Sequence, residues 1–204
     1  MYHQIVAELR ESYDRNALER ENYEIAPWKV EERQHFLTLL QNEGKQRLLE
    51  IGAGVGRDGK FFQDNGLDVI CTDLSPEMVA LCRAKGLIAY AMDFLSLDFP
   101  PASFDAVYAL NCLLHVPKPD FPAVLEAIQR LVRPGGLFFL GVFGGTEFEG
   151  TSPEDTCSPR RFYTLRTDDQ LLTSVSEFFE IHTFKIISFE GGEHHFQSLI
   201  LKRS

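Results

Sequence analysis

The residues with the clearest capacity for chemistry lie in Leu48-Leu49-Glu50-Ile51-Gly52-Ala53-Gly54-Val55-Gly56-Arg57-Asp58-Gly59-Lys60-Phe61. A glycine backbone lets a ligand approach without a Cβ in the way, and a loop running into a helix offers free N–H groups to an anion. Three nucleotide-handling loops share this spacing. A phosphate cradle, G-x-x-x-x-G-K, fits Gly54 to Lys60, but the next position needs a hydroxyl for Mg²⁺ and is Phe61. A dinucleotide fingerprint starting at Gly52 needs a third glycine at position 57, which is Arg57. Only acid-x-Gly-x-Gly-x-Gly, Glu50 to Gly56, is whole. The same glycines would also serve a tight strand-to-helix turn that binds nothing.

Further polar residues follow at the ends of apolar runs. Asp68-Val69-Ile70-Cys71-Thr72-Asp73 reads as a strand ending in an acid, and an acid there can accept both hydroxyls of a ribose. Asp73 can instead cap the helix that opens at Ser75-Pro76-Glu77. Asp93-Phe94 follows a third strand, with Asp98 as a competing acid and an ordinary loop role as the alternative. Asn111 and His115 lie just beyond a fourth strand, and an imidazole with an ordinary pKa of about 6.5 suits proton transfer near neutrality. A histidine before Val116-Pro117 can also simply pack in place.

Together with Leu131-Val132-Arg133-Pro134-Gly135-Gly136-Leu137 before strand five, these motifs span residues 47 to about 143. The ordered set resembles the class I S-adenosylmethionine (SAM)-dependent methyltransferase superfamily, in its small-molecule members. The resemblance implies SAM as cofactor, S-adenosylhomocysteine as product and no metal. It places the methionine end over Glu50, Gly52, Ala53, Gly54 and Gly56, with Asn111 helping to hold it. Asp73 then takes the ribose, Leu74 lies against the adenine, Asp93 accepts from the adenine amino group, and the Phe94 N–H meets the ring. The implied reaction moves a methyl group to an O, N or S atom of a small-molecule acceptor, with His115 as candidate base. A protein or RNA methyltransferase and a non-catalytic SAM-binding module are the alternatives.

Acceptor recognition belongs outside the shared core. Tyr13, Tyr23 and Trp28 are candidates for an aromatic lid. From the other side Arg160-Arg161-Phe162-Tyr163 offers Arg161 and Tyr163, since guanidinium pairs suit carboxylate or phosphate; a solvated turn is the plainer reading. His194-His195 makes a poor chelating pair because neighbours on a strand face opposite ways. Four cysteines lack any C-x-x-C spacing, which points to free thiols in a reducing compartment, and no zinc site.

The elements that must hold these residues follow from periodicity. Two helices are expected within residues 1–44, one using Ile5, Leu9 and Tyr13 and one over 30–40. Strands at 47–51, 67–72, 87–91, 104–109 and 136–143 alternate with helices at 57–65, 76–85 and 120–132. Residues 143–166 read as a long loop, then a helix over 168–177 and strands at 181–189 and 195–201. This rhythm predicts an α/β, Rossmann-like, doubly wound seven-stranded mixed sheet with the last strand antiparallel and a helical N-terminal cap. One domain is expected over 1–204, divided as cap (1–44), cofactor-binding core (45–143) and acceptor side (144–204). A net charge of −10 over 204 residues argues against a nucleic-acid partner, and neither a signal pattern nor a membrane-spanning run is visible, so cytoplasmic residence is expected. The sequence is silent on oligomeric state.

Overall fold

Alternate residues of the central strands point to two separate cores. In the computed structural model, which describes residues 2–189, 191 and 194–204, Leu48, Val69, Ala106 and Phe139 join one cluster while Leu49, Ile70, Val107 and Phe138 join the other. That split is the period of two expected of a sheet buried on both faces. The strands are β1 (Arg47–Ile51), β2 (Asp68–Asp73), β3 (Ile88–Ala91), β4 (Phe104–Leu110) and β5 (Val132–Gly144), then β6 (Phe148–Thr151), β7 (Phe162–Leu165), β8 (Glu180–Ser188) and β9 (His195–Lys202).

Seven of these strands form one sheet in the order β3-β2-β1-β4-β5-β9-β8, parallel through β5, with β9 antiparallel to both its neighbours. The mixed sheet and its antiparallel last strand agree with the sequence reading. Helices α2 (Pro27–Asn42), α3 (Arg57–Asp64) and α4 (Pro76–Ala84) cover one face; α5 (Phe121–Leu131) and α6 (Asp168–Ser176) cover the other. Phe36, Phe62, Tyr108 and Phe139 interlock under α2, with Tyr108 stacked on Phe139 at 4.7 Å.

Helix α1 (Tyr2–Arg20) differs from the rest. Only Ile5, Leu9, Ser12 and Ala17 of its 19 residues are buried, so polar contacts do much of the holding. Asp14 accepts from the Ser75 hydroxyl at the N-cap of α4, Lys85 reaches Glu21 at 2.8 Å, and Arg57 donates to the carbonyls of Arg20, Glu21 and Tyr23. The cap is therefore fastened to the core at the loop end of the sheet.

Two expectations are corrected. Residues 143–166 are not a loop throughout: β6 and β7 pair antiparallel as a separate two-stranded sheet, with Phe148 opposite Leu165. Four-residue strands are too short for their alternation to stand out, and the ten residues between them hold Pro153 and Pro159, which read as loop. Strand β5 also begins earlier than 136, at Val132, because the chain pairs with Phe104 before a register shift around Gly135.

Candidate active site

The strand order reverses between β1 and β4, and the carboxyl ends of adjacent parallel strands splay apart at such a switch point to leave a crevice. A cavity of about 270 Å³ lies here, roofed by α1 and the segment leading into α2. Glu50, Gly52, Ala53, Gly54, Asp73, Leu74, Phe94, Asn111 and His115 line it, as do Tyr13 and Tyr23 of the cap. Most of the sequence candidates thus meet around one space.

The glycines divide their work. Gly54 (φ +55°) has open space where a Cβ would stand, whereas a Cβ on Gly56 (φ +77°) would come within 2.8 Å of Cys82 Sγ and Leu87 Cδ1. Gly56 does not line the cavity; it lets α3 pack close to α4. Gly54 donates its N–H to Asp73 Oδ2 at 2.7 Å, and Ser75 N–H donates to Oδ1 at 2.9 Å, so the carboxylate at the end of β2 is fixed in orientation. Burial pushes the Asp73 carboxyl above the usual range, against those two hydrogen bonds. Glu50 is raised further, by burial and by the nearby Asp58 carboxylate, and it accepts from the Cys71 thiol.

Asn111 is strained. Its φ is +54°, uncommon for a residue with a Cβ, and its side-chain Oδ1 is buried with no hydrogen-bond partner among the described residues. Both features sit on the cavity wall, where an unmet buried acceptor points to a ligand.

His115 has both ring nitrogens engaged. A carbonyl can only accept, so Nδ1–H donates to Phe162 O at 2.6 Å, and Nε2 of the neutral ring accepts from the Tyr13 hydroxyl at 2.5 Å. Burial lowers its pKa to about 4, and the Arg161 and Arg20 cations act in the same direction. The group presented to the cavity is thus a hydrogen-bonded Tyr13–His115 pair. Burial raises the Tyr13 hydroxyl, and Arg20 and Arg161, 4.9 and 5.8 Å from its ring, pull it back down.

Other candidates fall outside the cavity wall. Asp93 occupies a smaller adjoining hollow, where Oδ1 accepts from Leu95 N–H at 2.6 Å and from the Tyr2 hydroxyl at 3.3 Å. Trp28 packs among Phe143, Phe189 and Phe196, 4.4 Å from the last ring. Arg161 clamps Asp155 with two guanidinium nitrogens, and Tyr163 backs His115 at 5.0 Å. The arginine pair suggested as an anion clamp is thus dismantled, one member held by Asp155 and Arg160 exposed.

Three lining cations, Arg20, Lys29 and Arg57, escape the sequence reading. Lys29 carried a signal: it stands in the first turn of α2, after Pro27, where the helix dipole disfavours a cation. Burial lowers its pKa as well. Among the described residues no three His, Cys, Asp or Glu side chains converge as a metal set, and no helix is long and apolar enough to cross a membrane.

A parallel switch-point crevice with a glycine loop and an acid ending β2, in a sheet whose last strand is antiparallel, defines a Rossmann-like doubly wound fold. Comparison with known proteins agrees. Residues 48–136 match a family model described as a methyltransferase domain. A ubiquinone biosynthesis O-methyltransferase of Xylella fastidiosa is 32% identical over 107 residues, which cover 49% of this chain and 43% of that protein. The chain thus matches less than half the length of that relative. Among solved structures, the Burkholderia thailandensis 1,6-didemethyltoxoflavin-N1-methyltransferase, with bound 1,6-didemethyltoxoflavin and S-adenosylhomocysteine, aligns over 99% of this chain and 90% of its own, with a TM-score of 0.76 and 23% identity. The (4+2)-cyclase SpnF aligns over 83% and 80%, with a TM-score of 0.66 and 19% identity. Over residues 48–136 the chain is thus similar to a methyltransferase domain, and its fold is the one that the solved methyltransferase structure shares.

Proposed function

We propose that the protein is an enzyme that transfers the methyl group of SAM to an O, N or S atom of a small-molecule acceptor. The observation that carries this reading is the convergence of Gly54, Asp73 and Asn111 on one cavity, with a lone buried acceptor on Asn111. The residues fit the cofactor. Gly54 leaves room at the loop, Asp73 offers a fixed carboxylate to two hydroxyls, Leu74 and Phe94 give apolar walls for a purine, and Asn111 Oδ1 is an acceptor for an ammonium. Lys29, beside the N-terminal end of α3, suits a carboxylate. Asp93 joins the set in this reading only from the adjoining hollow, behind Phe94 and Leu74.

SAM, held by Gly54, Asp73 and Asn111, would supply an electrophilic methyl carbon on a sulfonium, with the thioether as leaving group. What the chain must contribute is orientation and, for a hydroxyl or ammonium acceptor, a place for a proton. Tyr13 and His115 provide that place in passing: the acceptor's proton moves to Tyr13 Oη as the Tyr13 proton moves to His115 Nε2, and the imidazolium so formed, which donates to Phe162 O, is disfavoured by the burial that holds His115 near 4 and must give its proton up again. His115 acts through Tyr13, with Tyr163 and the Asp155-held Arg161 packed behind the pair. Trp28 has a packing role.

A small acceptor accords with a cavity closed over by α1 and with the acidic surface; a nucleic-acid partner does not. The reaction needs no metal, and the thiols suit a reducing, cytoplasmic setting. The three-part division into cap, cofactor core and acceptor side describes one domain in this reading. Titration calorimetry with S-adenosylhomocysteine tests it: micromolar binding that Asp73→Asn weakens about tenfold supports it, in line with loss of a charged hydrogen-bond acceptor. No binding to the folded wild type would sink it. Release of S-adenosylhomocysteine over a metabolite panel then separates turnover from mere binding.

A further inference from the structure

Building on the methyltransferase reading, we infer that Arg20 anchors an anionic group of the acceptor, so that the compound methylated is a small acid bearing a carboxylate or phosphate. Three cations line the cavity: one is tied to the chain, and one suits the cofactor in the reading above. Arg57 donates to three main-chain carbonyls at the end of α1, and Lys29 stands beside Asp58 at the start of α3, where the cofactor's own carboxylate belongs. Arg20 has no carboxylate within ion-pair distance and no hydrogen-bond acceptor for its guanidinium among the described residues.

The guanidinium is nonetheless held in place. It lies 4.9 Å from the centre of the Tyr13 ring and 6.0 Å from that of Tyr23, and stacking on ring faces fixes a guanidinium while leaving its N–H edge free. That edge is the part that binds carboxylate or phosphate in a two-pronged way. Its position completes the acceptor site: the ring it stacks on is the one whose hydroxyl meets His115, so an anion held by Arg20 keeps the rest of the acceptor beside the Tyr13–His115 pair.

An anion entering this cavity needs a cation to hold it. Glu24, Glu50, Asp58 and Asp73 share the cavity wall, an environment suited to a cationic cofactor and hostile to an anionic partner. Arg161, the residue the sequence offers for this task, is neutralised by Asp155. The competing explanation is that Arg20 merely complements the C-terminal dipole of α1, which would affect stability but not ligand choice.

The test is titration calorimetry on the full chain saturated with S-adenosylhomocysteine, using 4-hydroxybenzoate, phenyl phosphate and the neutral 4-hydroxybenzamide as probes. Wild type should bind one anion about tenfold or more tighter than the amide, the worth of one charged hydrogen bond, and the better anion distinguishes carboxylate from phosphate. Arg20→Gln should reduce that preference to within about threefold, and Arg20→Lys should restore part of it. Affinity for S-adenosylhomocysteine should stay within about threefold in Arg20→Gln but fall about tenfold in Lys29→Met. An anion preference that persists in Arg20→Gln, its absence from wild type, or an equal loss of cofactor affinity in the two variants overturns the assignment. If wild type fails to bind S-adenosylhomocysteine, the methyltransferase reading falls, and the probes titrated alone still judge Arg20 by the same preference.

Discussion

Acidification should expose the cost of burying His115. In the unfolded chain the imidazole titrates near its ordinary value of about 6.5, whereas in the folded protein burial holds it near 4. Between those values the unfolded state binds a proton that the native state refuses, so stability falls as pH falls. His115's contribution is intact above about pH 6.5 and is lost by about pH 4. The gap of roughly 2.5 units corresponds to about 3 kcal/mol, a sizeable part of the 5–15 kcal/mol typical of a domain. Urea unfolding of wild type and His115→Gln, from about pH 7.5 down to about pH 4, measures it. Carboxylates titrate alike in both proteins, so the difference between their pH profiles isolates the histidine. The wild type should lose about 3 kcal/mol more than the variant over that range. Parallel profiles, or an imidazole NMR titration centred near 6.5, would refute the reasoning and leave His115 solvated and free of Tyr13.

Other substitutions separate packing from chemistry. Gly56→Ala forces a side chain into a φ of +77° against Cys82 and Leu87, and should cost about 2 kcal/mol or more in denaturant unfolding. Trp28→Ala should lower stability by about 2 kcal/mol through the lost contacts with Phe143 and Phe196, while calorimetry finds cofactor affinity unchanged. Tyr13→Phe breaks the hydrogen bond to His115 and should reduce turnover of a hydroxyl or ammonium acceptor about a hundredfold, with S-adenosylhomocysteine affinity nearly constant. If turnover is unaffected, the pair takes no proton.

Sequence alone determined the sheet, the glycine loop and the acid ending β2. Those features are local: a strand's alternation, a glycine triplet and an acid after an apolar run are written within a few residues of one another. Boundaries suffered where patterns were short, as with β6 and β7, or where a register shift broke them, as at the start of β5. Tertiary structure alone decided which side chains share the cavity. Tyr13 meets His115 across 102 positions and Arg57 reaches back to the end of α1, distances over which no periodicity carries information. The same folding removed Trp28 to an aromatic cluster, tied Arg161 to Asp155, and left Arg20 and Lys29 on the wall. Whether a charged side chain is matched or left free depends on what the whole chain brings within a few ångströms, and Coulomb energy there changes steeply with distance.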